Sequence, residues 1–244
     1  MKGATLFLTA LLACAAASGT AQAAERRFTL SAFDTVRIEG DVAVEITSDA
    51  APFALAVGDP RALEALSVRV QGKTLYIRRA RRNIPIEARN RPGTPEALPL
   101  VRIDARAVKS LTLLGHGSAR IDRLSGDRPS ATMDGNGSVE IGSVAAEAVA
   151  FSVNGSGSLK VGGSATSARA VMLGEGLIDG GNLTLSSLDF FGEGPVRARL
   201  KVDGPARISV KGDADVQLRG NPDCTVRQSG VNIVTCGGVE AKPR

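Results

Sequence analysis

Five copies of a Gly-x-Gly element, 18 to 20 residues apart, constrain this chain more than any other feature of its sequence. They are Gly115-His116-Gly117, Gly135-Asn136-Gly137, Gly155-Ser156-Gly157, Gly174-Glu175-Gly176 and Gly192-Glu193-Gly194, with a degenerate sixth at Gly212-Asp213-Ala214. A step of about 20 residues is the length of one solenoid coil and too short for a helical repeat.

The flanks of the repeat say what the coil is made of. Counted from the first glycine of each copy, apolar residues stand four and two positions before it: Leu111 and Leu113, Ala131 and Met133, Phe151 and Val153, Leu188 and Phe190, Ile208 and Val210. They return four and six positions after it: Ala119 and Ile121, Val139 and Ile141, Leu159 and Val161, Val216 and Leu218. Alternation with period two marks strands with one buried face. Because all these offsets are even, both glycines fall on the inward phase, at a sharp bend where only glycine fits. The residue between them then points outward. Coils stacked about 4.8 Å apart align His116, Asn136, Ser156, Glu175, Glu193 and Asp213 into one exposed ladder, with Ser118, Ser138 and Ser158 as a small polar column beside it.

Aromatic residues are only 3% of the chain, with no Trp and one Tyr, so the core is built from Val, Ile, Leu and Ala. That composition suits stacked strands better than a helix bundle. The expected fold is all-β: a parallel β-helix or β-solenoid with coils of about 20 residues, plus an N-terminal β-rich part with one short helix. Val36, Ile38, Gly40, Val42, Val44 and Ile46 alternate strictly, and Asp59-Pro60 followed by residues 61–66 predicts an N-capped short helix. Strands are expected at 66–70, 75–77 and 100–103, and the Pro-rich stretch 91–99 reads as a loop. The chain divides into residues 1–23, 24–99, 100–222 with the repeats, and a C-terminal cap and tail at 223–244.

Residues 1–23 read as a signal peptide, with Lys2, an apolar run from Ala4 to Ala17 and the small-residue pattern Ala21-Gln22-Ala23 before Ala24. Leu11-Leu12-Ala13-Cys14 offers a competing reading as a lipobox, which would tether the protein to a membrane through Cys14. In either case the protein is expected to be exported, to the periplasm or the cell surface. The two remaining cysteines, Cys224 and Cys236, then read as a disulfide in an oxidising compartment. Closing so short a loop contributes about 3 kcal/mol.

The formal net charge is +5, and Arg78, Arg79, Arg81, Arg82, Arg89 and Arg91 lie close together. Base-stacking aromatics are nearly absent there, so these arginines read as a solvated loop or a guarded strand edge, and no nucleic-acid partner is expected.

The order of motifs resembles that of the GIN-domain family, described as the head of autotransporter adhesins. The resemblance runs from Phe33-Asp34-Thr35-Val36 through residues 42–47, Gly58-Asp59 and Gly72-Lys73-Thr74-Leu75-Tyr76-Ile77, then through the Gly-x-Gly-Ser coils to Gly220-Asn221-Pro222. It implies a right-handed β-helical fold and a cell-envelope or extracellular setting, and it brings no catalytic residues with it.

Catalytic chemistry finds little to work with. His116 is the only histidine, at a turn position where other copies have Asn, Ser or Glu, so it reads as a surface residue. Glu175, Glu193 and Asp213 could form an acidic cluster if the ladder brings them together. No Asp recurs at the fixed offset that repeat-bound Ca²⁺ needs, and no nucleotide loop is present. No catalytic residue, metal site or cofactor is assigned. The expectation is a non-catalytic envelope or surface protein that binds an envelope or extracellular polymer or protein. A carbohydrate-active enzyme using the acidic ladder is the first alternative, and a self-assembling scaffold that oligomerises through its coil ends is the second.

Overall fold

The computed structural model describes residues 23–48, 52–80 and 98–241. The segment expected as a signal peptide, up to residue 22 and with Cys14 in it, and Arg81, Arg82, Arg89 and Arg91 lie outside the described residues. The first elements are β1 (Ala24–Thr29), β2 (Thr35–Glu39), β3 (Ala43–Thr47), β4 (Phe53–Gly58), α1 (Pro60–Glu64), β5 (Leu66–Gln71), β6 (Thr74–Arg79) and β7 (Leu100–Asp104). The repeat region supplies β8 (Ser110–Gly115), β9 (Ser118–Ser125), β10 (Ser130–Gly135), β11 (Ser138–Asn154), β12 (Ser158–Leu173) and β13 (Leu177–Glu193). The chain closes with β14 (Val196–Val202), β15 (Gly204–Lys211), β16 (Ala214–Arg219), β17 (Pro222–Ser229), β18 (Asn232–Cys236) and β19 (Val239–Glu240).

These strands stack as a parallel β-solenoid. On the flank before the Gly-x-Gly corner, β8, β10, β11, β12, β13, β15 and β17 pair in turn, all parallel. On the flank after it the order is β9, β11, β12, β13, β14, β16 and β18. Burial alternates with period two along each flank and changes phase again between Ile141 and Val144 and between Ala146 and Val149. Each phase change is a further bend of the coil, since strand side chains otherwise keep alternating between the two faces.

The strands before residue 100 belong to the same stack. β2 pairs with β8 and β3 with β9, while β6 and β7 add the next level on β2 and β3. A level that comes early in the chain therefore sits between two that come later. One apolar core runs from Leu30 to Val234. At the N-terminal end both outer edges are covered by antiparallel strands, β5 on β6 and β4 on β7, with β1 on β4. Between them α1 buries Ala62 and Leu63, and Asp59 caps it by accepting from the Arg61 backbone N–H at 2.8 Å. Such covers keep a sheet edge from recruiting other chains. The C-terminal end is closed differently, by the Cys224–Cys236 disulfide across β17 and β18 and by the short strand β19.

The corner corrects the phase read from the sequence. Gly115, Gly135, Gly155 and Gly174, with Gly40, Gly194, Gly212 and Gly230, form one column in which every φ lies between +92° and +125°. They do not face the core. They lie against the neighbouring coil, half-buried except for the exposed Gly212 and Gly230, and a Cβ on Gly135 would lie 2.4 Å from the carbonyl oxygen of Gly115. The second glycine is the one that faces the core: a Cβ on Gly137 would meet Leu113 Cδ2 at 2.7 Å.

The fifth copy is displaced by two residues. Met172 pairs with Gly192 and Leu173 with Glu193, so the corner glycine of that coil is Gly194 and its outward residue is Pro195. Gly192 occupies a core position held by Met172 and Val210 in the neighbouring coils. Space explains the exchange. The core residues on either side of the corner pair one large with one small in Leu113/Gly117, Met133/Gly137, Val153/Gly157 and Met172/Gly176. In the fifth coil the order reverses to Gly192/Val196, and Val196 Cγ2 lies 2.8 Å from where a Gly192 Cβ would be. A close-packed interior has room for one large residue at each level of the corner, from either side.

Candidate binding surface

The exposed corner column is Asp41, His116, Asn136, Ser156, Glu175, Pro195, Asp213 and Val231, as the pairings of the adjoining strands require. His116 stands half-exposed with Nδ1 3.5 Å from Asp41 Oδ1. The backbone N–H of Ser156 donates to Asn136 Oδ1 at 3.4 Å. Glu193 lies one column away, beside Leu173 and Lys211. Glu175 and Asp213 are two rungs apart with Pro195 between them, so the three carboxylates expected from the sequence do not converge. The hollow beside them, about 330 Å³, is floored by Val196, Ala214, Val231 and Ile233, and Glu193 does not line it. Among the described residues no three His, Cys, Asp or Glu side chains gather as a metal site.

The flank after the corner carries a pattern that even-numbered offsets miss. Its middle outward column runs Arg102, Glu45, Arg120, Glu140, Lys160, Asp179 and Arg199, alternating in sign at every step. Arg102 Nε donates to Glu45 at 3.2 Å, and Glu140 accepts from Arg120 Nε at 3.1 Å and Lys160 Nζ at 3.3 Å. Arg120 first, and Lys160 after it, hold the Glu140 carboxyl below the usual glutamate range. From Glu45 to Arg199 its members stand five residues after a corner glycine, and its signal in the sequence is the alternation of sign at that offset. Exposed pairs of this kind contribute only about 0–1 kcal/mol each, but opposite charges placed directly across from each other favour this register over its alternatives. Ser118, Ser138 and Ser158 form the neighbouring small column, continued by Leu177, Arg197 and Asp215.

The same column walls a cleft of about 420 Å³ at the next bend, lined by Glu140, Lys160, Asp179, Asn182, Arg199 and Arg219 and floored by Gly142, Gly162 and Gly181. It lies at the largest irregularity of the stack. β13 pairs Gly180 with Leu200 and then Thr184 with Lys201, so Gly181, Asn182 and Leu183 bulge between consecutive rungs of β14. Bulges of this kind are enriched next to functional sites. The backbone N–H of Gly181 donates to Asp179 Oδ1 at 3.2 Å and fixes the turn.

A family model described as "Putative auto-transporter adhesin, head GIN domain" matches residues 32–222. The chain belongs to this family. Among solved structures, a "putative adhesin" from Bacteroides fragilis superposes with a TM-score of 0.77 at 17% identity, covering 88% of this chain and 97% of that one. A "putative lipid binding protein" from Parabacteroides distasonis follows with a TM-score of 0.64 at 17% identity, over 86% of this chain and 96% of that one. A second "putative adhesin" from P. distasonis gives 0.62 at 13% identity, over 89% and 97%. At these identities the likeness establishes the GIN-domain fold. No curated protein matches the chain.

Proposed function

We propose that this GIN-domain protein is a non-catalytic binding protein of the cell envelope or cell surface, presenting one long solenoid flank to an extended partner. The observation that carries the reading is the outward surface after the corner, where a column of alternating sign runs over seven levels beside a column that is small at four of them, Ala43, Ser118, Ser138 and Ser158. At about 4.8 Å per rung that is a straight strip of roughly 30 Å. Solenoids use such surfaces to bind along their length. Support comes from the adhesin description of the family and from the disulfide, which forms in oxidising compartments. The dispersal of Glu175, Glu193 and Asp213 removes the acidic cluster on which the enzyme reading rested.

The test is capture of envelope and extracellular material by the purified protein, beside a polysaccharide-degradation screen. Ser138→Arg with Ser158→Arg, which fills the small column, is expected to abolish capture while leaving the fold intact. Polysaccharide cleavage lost on Glu175→Gln or Asp213→Asn would overturn the proposal.

Self-assembly has one observation in its favour. Among the described residues the outer edge of β17 is unpaired, whereas the opposite end of the solenoid is covered. An antiparallel β17 pair centred on Thr225 would set Asp223 against Arg227 twice, a self-complementary arrangement. Sedimentation of the protein should show a concentration-dependent dimer that Arg227→Asp dissolves and Asp223→Arg with Arg227→Asp restores. A monomer at every concentration would exclude it.

A further inference from the structure

We propose that the glycine-floored cleft between β12, β13 and β14 is an anion subsite that takes the carboxylate or sulfate group of an acidic glycan, with Arg199 and Arg219 as its principal ligands. The inference rests on the reading of this protein as a binding module and names the chemistry of its partner.

The cleft is where the protein departs from its own rule of charge placement. Along the middle column each cation has an anion directly across from it, from Arg102 to Arg199. At the cleft the rule ends. The rung after Arg199 is Gln217, and two positions further along the strand Lys201 stands directly across from Arg219. Like charges in that relation repel. Among the described residues, no carboxylate lies within ion-pair distance of Arg199, Lys201 or Arg219. The nearest acid in the column, Asp179, is engaged by the Gly181 N–H. Arg219, which lines the cleft, thus faces Lys201 and no anion, and Arg199 has across from it only an Asp179 that the Gly181 N–H also engages. A bound anion would supply the missing charge.

The remaining lining suits a sugar. Gly142, Gly162 and Gly181 put backbone, without side chains, on the floor, so a pyranose ring can approach closely. Asn182, exposed on the bulge, offers both a donor and an acceptor for ring hydroxyls, and Asp179 adds acceptor capacity. A volume of about 420 Å³ lies within the usual range for small-ligand sites. Arginine matches this role because its planar fork binds a carboxylate or sulfate through two parallel hydrogen bonds.

The experiment is titration of the purified protein with three glycan probes of similar length: an oligogalacturonate, a sulfated dextran fragment and neutral dextran, in low and physiological salt. Binding of either acidic probe, with none of dextran, is expected; which acidic probe binds distinguishes carboxylate from sulfate. Arg199→Gln with Arg219→Gln should weaken that binding at least about tenfold, the loss of one charge-assisted contact or more. Arg69→Gln with Arg106→Gln removes the same net charge at the other end of the molecule and should change affinity less than about twofold. Arg219→Gln alone should leave the thermal midpoint unchanged or raise it by about 1 °C, because it relieves repulsion with Lys201. Equal losses in the two double variants would reduce the effect to net charge and overturn the inference. So would a wild-type protein that binds neither acidic probe. If the Arg199/Arg219 variant loses nothing, or if the protein captures envelope material without binding an acidic glycan, the subsite is refuted while the broader binding role stands.

Discussion

Replacing Gly135 by alanine tests whether the corner glycines hold the stack together. The residue sits at φ +125°, and its new methyl group would lie 2.4 Å from the Gly115 carbonyl oxygen, with Gly115 C and Cα both at 3.1 Å. An ordinary contact requires about 1 Å more, and the obstacle is backbone, so two hydrogen-bonded coils would have to separate locally. Backbone strain at such a φ costs about 1–3 kcal/mol. Lengthening one or two ladder hydrogen bonds adds about 1 kcal/mol each. We expect a total loss of about 2–5 kcal/mol, a large share of the 5–15 kcal/mol typical of a folded domain. The control is Gly72→Ala, where φ is +61° but nothing lies within 4 Å of the new methyl group, and the expected loss is about 1–2 kcal/mol. Equilibrium urea unfolding followed by far-UV circular dichroism is the assay, since the protein has no Trp and a single Tyr to report by fluorescence. If the two variants unfold at the same urea concentration, conformational freedom alone explains the glycines and the coil-to-coil contact does not matter.

Three further predictions concern packing, the end of the solenoid and pH. Met172→Gly and Gly176→Val should each destabilise, by about 3–5 kcal/mol through a cavity and about 1–3 kcal/mol through overpacking. The double variant, which copies the Gly192/Val196 arrangement, should recover at least about 1 kcal/mol of their sum in a double-mutant cycle. Reduction or serine replacement of Cys224 and Cys236, 12 residues apart, should lower stability by about 3 kcal/mol, measured by urea unfolding with and without reductant. The Glu39 carboxyl is held below its ordinary range by Arg78 first and Arg37 second, at 2.6 and 2.8 Å. A depressed pKa stabilises the fold above the unfolded-state value, about 4.3, and that contribution is lost as pH falls through the folded value. Glu39→Gln should therefore cost up to about 1 kcal/mol at neutral pH, and its urea midpoint should converge with that of the wild type as pH drops below 4.

Much of the architecture was legible because a solenoid repeats its local physics. Each coil must bury an alternating row and turn at the same place, so the 20-residue step and the period-two flanks appear directly in the residues. The helix at Pro60–Glu64 was legible for a local reason as well: an Asp cap followed by Pro at the first helical position. The fifth corner was misread because Gly192-Glu193-Gly194 matches the motif, and only stacking shows that its second glycine takes the corner. From Glu45 to Arg199 the charge column was present at the fifth residue after a corner glycine, but its meaning depends on knowing that those residues lie opposite each other.

Local constraints, then, are what the sequence determined alone: strand period, coil length, the need for glycine at the bend, and a cysteine pair suited to a disulfide. Tertiary structure decided everything that depends on which coil lies above which. It placed β2 and β3 between levels completed later in the chain, moved Glu193 off the corner, and exchanged Gly and Val across it. It also set Lys201 against Arg219 beside a cleft. The physical reason is that a parallel stack forms its contacts between residues about 20 positions apart, where a difference of one or two residues in coil length changes the neighbour of every side chain that follows.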